Sequence, residues 1–230
     1  MVRQSLGMFF RRMVVPYASL FILEVGGTSS QIGVVNSLRP LAGLLMFPIS
    51  GYLTDRASRL RLIALAGYLS AMSMLLYVFA PSWEWIALGS LIQGFMVFQF
   101  PPTSAILADS LSPENRGTGI AAMNSVATGL WLFSPYIAGV LLEMFCVGVG
   151  MRVMYGLLAC SILISAVLVS RYMEESSDVV GFDDLPHLAV ILREAYSGVP
   201  GLLLGLPGSV KALGVVVLLW FIGNAVASPF

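Results

Sequence analysis

Gly51-Tyr52-Leu53-Thr54-Asp55-Arg56-Ala57-Ser58-Arg59-Leu60-Arg61-Leu62-Ile63 is the stretch on which the reading of this chain turns. It lies between two long apolar runs, opens on a glycine, and crowds Asp55 together with Arg56, Arg59 and Arg61. Charged side chains at the centre of a bilayer cost roughly 2.5–3.5 kcal/mol each. The cluster therefore marks a short charged hinge at a membrane surface, and the runs on either side mark spans.

Working outward, the 230 residues are 58% hydrophobic and only 10% charged, whereas soluble domains carry about 25% charged residues. Such a chain cannot hide its apolar surface from water by folding alone, and it is read as an integral membrane protein. A bilayer core about 30 Å thick needs roughly 20 apolar residues per helix. The sequence offers six complete runs and the start of a seventh. They lack the period-two alternation of a transmembrane barrel, so the fold class is all-α, a polytopic six-helix bundle with a cytoplasmic linker and a seventh helix.

The spans are expected at residues 5–25, 31–53, 62–80, 85–108, 118–143 and 151–170, with the seventh from about residue 210. The domain plan is thus a bundle over 1–170, a linker over 171–208 and the opening of a seventh helix over 209–230. Trp83 and Trp85 suit a membrane interface, and Pro16 and Pro101-Pro102 are expected kinks. With a cytoplasmic N-terminus, Arg3, Arg56, Arg59, Arg61, Arg116, Arg171, Arg193 and Lys211 all fall inside and only Arg152 falls outside. The linker is acidic at Glu174, Glu175, Asp178, Asp183 and Asp184, and then follows an amphipathic pattern at Leu188, Ile191, Leu192 and Ala195. Asp183 or Asp184 is the expected cap, Pro186 suits the first turn, and the helix is read as lying on the membrane. His187 is read as structural.

Function must come from polar groups inside the spans. Arg11, Arg12 and Arg39 lie within them, together with Gln93 and Gln99 in the fourth and Asn124 in the fifth. These six are the candidate substrate path. Arg11 and Arg12 are about 100° apart around a helix, so they cannot point the same way. The third and sixth interiors contain no charge, Asn or Gln, so helices one, two, four and five are expected to enclose a cavity while three and six face lipid. Arginines in that cavity point to a small solute that is anionic or polar.

The hinge also resembles the signature loop of major facilitator superfamily transporters, Gly-x-Leu-Ala-Asp-Arg-x-Gly-Arg-Lys. Gly51, Leu53, Asp55, Arg56 and Arg59 stand in matching places, while Thr54, Ser58 and Leu60 depart from it. The resemblance implies a gating role for these five residues. It also implies an ion pair of Arg59 with Asp109 at the end of the fourth span, beside Arg116 at the start of the fifth. Gly51 would let helix two approach a partner in another half. Gln93-Gly94 is similar to the end of a fourth-helix motif, Arg-x-x-Gln-Gly, with Ser90 in place of its arginine. That substitution removes the support for proton coupling through this motif. Ser134-Pro135-Tyr136-Ile137-Ala138-Gly139 is similar to the antiporters' Gly-Pro-x-x-Gly-Gly; Pro135 and Gly139 are read as packing and kink first, antiport second.

The family plan makes this chain an N-terminal half, a linker and the opening helix of a second half that is missing. The expected function is secondary active transport of a small solute by alternating access in the cell membrane, the alternative being a non-transporting half or interaction module. The partners expected are the solute, the bilayer, and a C-terminal half or second copy. The zero formal net charge suggests no nucleic-acid surface. No enzyme activity, cofactor or metal is expected, because the sequence has no phosphate-binding glycine loop, metal-ligand cluster or catalytic triad. Cys146 and Cys160 give little support to a disulfide framework.

Overall fold

In a computed structural model, residues 2–109, 112, 116–172, 187–197, 201 and 205–227 are described, with backbone alone at 2–6, 107–109, 116, 123, 127, 130, 188–189 and 221–227. The regular elements among them are all helices. They are α1 (Val2–Val14), α2 (Ala18–Glu24), α3 (Ser29–Arg56), α4 (Arg59–Val78), α5 (Trp83–Phe95) and α6 (Phe100–Asp109), then α7 (Arg116–Trp131), α8 (Ser134–Tyr172), α9 (Leu188–Ser197) and α10 (Gly208–Ala227). The chain divides into two units, Met1–Leu185 and Pro186–Phe230.

Helices of the first unit cover the six expected runs, and proline decides which of them are continuous. Span one is α1 and α2 joined by a 3₁₀ turn at Val15–Tyr17, where Pro16 withholds a backbone donor. Span four is α5 and α6 joined by a second 3₁₀ turn, Met96–Gln99, just before Pro101-Pro102. Span five is α7 and the first limb of α8, interrupted before Pro135. Span two, α3, runs unbroken for 28 residues although it contains Pro40 and Pro48. Spans three and six contain no proline and no break of this kind.

Local chemistry sets the turns. Gly26 has a φ of 87°, where glycine avoids the clash other residues meet, and Gly27 N–H donates to Ile22 O at 2.8 Å. Thr28 and Gln31 then form a reciprocal capping box at the start of α3, with Thr28 N–H donating to Gln31 Oε1 at 2.7 Å. Spans five and six, expected over 118–143 and 151–170, meet at Cys146, whose φ of 61° and ψ of 160° break α8 into two helical limbs.

Side-chain size fixes the packing. A Cβ on Gly67 would lie 2.8 Å from Ala166 Cβ, so α4 and the second limb of α8 approach closely there. One end of that pair carries a Tyr68–Ser170 hydroxyl contact at 2.9 Å. At the other end Arg152 donates to Val78 O at 2.8 Å, a carbonyl that the end of α4 leaves open, and to Ala80 O at 2.6 Å just beyond the helix. The Arg152 guanidinium also lies 5.9 Å from the ring of Phe21, which is fully buried 5.7 Å from the Tyr155 ring. Tyr77 stacks on Tyr155 at 4.7 Å. One core thus joins spans one, three and six.

The third span is more deeply packed than the expected lipid-facing position implies. Small residues Ala64, Ala66, Gly67, Ser70, Ala71 and Ser73 are buried, which lets both α5 and α8 approach. One stripe stays exposed, with Leu65, Leu69, Met72, Leu75 and Phe79 at helical spacing, and its apolar character suits lipid. Among the described residues three helices are long and apolar enough to cross a membrane, α3, α4 and α8, the last of them turning at Cys146.

In the second unit, α9 begins where His187 O accepts from Val190 N–H at 2.8 Å and Ile191 N–H at 3.2 Å. Asp183, Asp184 and Pro186, the expected cap and first-turn residues, lie outside the described residues, as do Glu174, Glu175 and Asp178.

Candidate functional site

The charged hinge is shorter than its composition suggests. Asp55 and Arg56 belong to the last turn of α3 and Arg59 opens α4, leaving only Ala57 and Ser58 between. An arginine is favourable at a helix C-terminus. Ser58 caps the next helix by accepting from Arg61 N–H at 3.3 Å, and Ala57 N–H donates to Leu53 O at 2.8 Å. Leu53 packs against the buried cluster of Ala57, Leu62, Ala66, Met96 and Phe98. Thr54, the departure from the family loop, is buried and donates to Ser50 O at 2.7 Å; Ser50 in turn donates to Phe98 O at 3.0 Å. Asp55 and Arg56 are exposed, and Arg56 sits 4.1 Å over the Tyr52 ring. Gly51 meets nothing within 4 Å of a built Cβ. The side chains of Asp109 and Arg116 lie outside the described residues, so the pairing with Arg59 does too.

The path candidates separate into three environments. Arg11 and Arg39 are half-buried on the first and second spans. Arg12 points elsewhere, as its 100° offset requires, and rests 5.2 Å from the ring of Trp131. Asn124 is exposed on α7 and Gln99 is half-buried in the second 3₁₀ turn. Gln93 is buried against span three, donating to Ser70 O at 3.1 Å and to Ser73 Oγ. Its neighbour Gly94 makes that crossing possible on the other side. A Cβ there would lie 2.5 Å from Arg39 O and 2.6 Å from Ala42 Cβ.

Pro135 and Gly139 meet span one through Tyr17. The Tyr17 hydroxyl donates to Pro135 O at 3.1 Å and lies 3.0 Å from a Cβ built on Gly139. The breaks in spans one and five therefore face each other across one hydrogen bond. Sequence reasoning marked Pro16 and Pro135 and read Arg152 only as an outer charge, but passed over Tyr17 and Trp131. The signal for Tyr17 was its position beside a kink; Trp131 and Arg152 gave none without a partner in space.

The sequence matches the model of the Major Facilitator Superfamily over residues 4–227. The chain belongs to this superfamily. It is similar to the multi-drug resistance efflux pump PmrA of Streptococcus pneumoniae, at 25% identity over 84% of this chain and 48% of that protein. It is also similar to a maltose permease of Geobacillus stearothermophilus, at 30% identity over 57% of this chain and 34% of that protein. The quinolone resistance protein NorA of Staphylococcus aureus matches at 19% identity over 57% of this chain and 34% of that protein. The chain spans about half the length, or less, of these relatives. Membership in the superfamily and the apolar helices make this a membrane-embedded, polytopic helical protein.

Proposed function

We propose that this superfamily member moves a small solute across the cell membrane by alternating access, with its N-terminus cytoplasmic, and that the path is completed by a C-terminal half or a second copy. The observation that carries the reading is a pair of exposed amides inside the spans. Asn36 on α3 and Asn124 on α7 present their amides on the open surface of the unit, with no hydrogen-bond partner among the described residues. Polar side chains in the hydrocarbon region face a bundle interior or a watery cavity rather than lipid. The breaks in spans one, four and five supply bending points, while spans three and six are continuous and interlocked at Gly67 and Ala166. Rocking of one bundle against another needs that combination of a firm back and adjustable lining.

On this reading the hinge of Asp55, Arg56 and Arg59, with Asp109 and Arg116, biases the equilibrium between inward-open and outward-open states. A gradient of the solute or of an ion drives the cycle. The experiment is uptake by vesicles holding this chain, with and without a separately supplied second bundle. Saturable uptake that appears only with the second bundle supports the reading. Uptake indistinguishable from empty vesicles in both cases, with the chain folded, leaves a non-transporting half that serves as an interaction module.

A further inference from the structure

We propose that an oxyanion group of the solute is held where the breaks in spans one and five face each other, by the Arg12 guanidinium, the Trp131 indole N–H and the Ser134 hydroxyl. The inference rests on the carrier reading above. Two contacts bring the spans together at this level. The Arg12 guanidinium lies 5.2 Å from the centre of the Trp131 ring, and about one turn further along both spans the Tyr17 hydroxyl donates to Pro135 O at 3.1 Å. Ser134 falls between these contacts, in the first turn of α8, and is fully buried. Three donors there lack an acceptor. Trp131 Nε1 and Ser134 Oγ are closed off from water and have no hydrogen-bond partner among the described residues. Arg12 is exposed, and among the described residues it meets the face of a ring and no carboxylate or carbonyl. The acidic residues of these two spans, Glu24 and Glu143, stand at the outer ends, about 18 Å along the span from Arg12 and Trp131 at 1.5 Å per helical residue.

Removing an N–H or O–H from water without giving it a partner is unfavourable, and a charge inside a span requires a watery cavity or a counter-charge. A carboxylate, phosphate or sulfonate answers all three demands, because its oxygens match the fork of Arg12, accept from the indole and the hydroxyl, and cancel the positive charge. The Trp131 ring behind the guanidinium steadies it for that contact. Arg12 also covers the site. Its side chain is long and exposed, so it can lift from the ring, and bending at the two breaks opens the way to Trp131 Nε1 and Ser134 Oγ. Water would satisfy the two neutral donors but not the charge. A cationic solute is repelled by Arg12, and a neutral sugar leaves its charge uncompensated.

The test is thermal unfolding of the purified full-length protein in detergent, with benzoate, inorganic phosphate, tetraphenylphosphonium and maltose as probes. Sodium chloride at equal ionic strength is the control, since phosphate also stabilises proteins by exclusion from their surface. Benzoate or phosphate is expected to raise the melting temperature in a saturable way, and the stronger of the two tells an organic from an inorganic anion. Arg12→Gln should weaken the apparent affinity by about tenfold or more, and Trp131→Phe, which keeps the ring and loses the N–H, by about threefold to tenfold. Ser134→Ala separates binding from folding. It deletes a buried hydroxyl that has no partner, so the protein without anion should melt no lower than the parent, while the anion affinity falls about threefold to tenfold. If Trp131→Phe does not fold, Ser134→Ala and Arg12→Lys, which keeps the charge and loses the fork, carry the test. A protein that responds to neither anion overturns the inference, as does an anion response unaltered in Arg12→Gln and Ser134→Ala. A response to tetraphenylphosphonium or maltose in place of the anions overturns it too, while leaving the carrier reading standing. Failure of vesicle uptake with the anion response intact would strike the carrier reading instead.

Discussion

Gln93 and Gly94 are adjacent on α5 and hold two different neighbours. The Gln93 amide reaches span three at Ser70 and Ser73, and the bare Cα of Gly94 admits the Arg39 backbone of span two. Gln93→Ala removes the amide from a buried site and should cost about 1 kcal/mol, read as a lower melting temperature with the solute KM unchanged. Gly94→Ala places a methyl group where 2.5 Å separates it from a backbone oxygen, which cannot be relieved by a rotamer change. A loss of about 1–3 kcal/mol is expected. Gly156→Ala, which meets nothing within 4 Å, is the matched control and should leave stability unchanged. Cys146 holds a φ of 61° that a side chain disfavours, so Cys146→Gly should stabilise the protein by about 1 kcal/mol, measured in the same melt.

Among the elements, the paired breaks of spans one and five make the sharpest prediction. Tyr17→Phe deletes the hydroxyl that joins them and should cost less than about 1 kcal/mol in stability. Its transport rate, in contrast, should change several-fold, because the bond lies where both spans bend. An unchanged rate would reduce the contact to packing. The spans themselves were legible in the sequence because runs of apolar residues and charged turns are one-dimensional signals, and Pro16 and Pro101-Pro102 announced two breaks. The rotation of each helix was not legible. A span that is apolar on every side carries no moment to say which face turns inward, so Gln93 read as a path residue although its amide faces Ser70 and Ser73. The depth of span three was hidden for a related reason: Ala64, Ala66, Gly67 and Ala71 register as merely apolar, while their small size is what admits two neighbours. The hinge reads as a loop because its charges end both apolar runs, whereas Asp55, Arg56 and Arg59 extend the two helices and leave two residues to turn.

For the whole molecule, the six-span unit is built as a firm pair of helices carrying broken and proline-containing ones. Arg152 contributes to that firmness by capping α4 from span six. Arg152→Ala should therefore lower stability by about 2–3 kcal/mol, since hydrogen bonds to a charged group are the stronger kind, with little effect on solute affinity. The proposed alternating-access carrier differs in kind from both a pore and an inert module. Only a carrier couples the movement of one solute molecule to the return of another through the same site. The most direct measurement is counterflow in vesicles containing the full-length protein, preloaded with unlabelled solute and given a trace of labelled solute outside. The account predicts a transient accumulation of label above its equilibrium level, abolished in Arg12→Gln. Label that rises monotonically to equilibrium at a rate proportional to concentration, or that never exceeds empty vesicles, would contradict it.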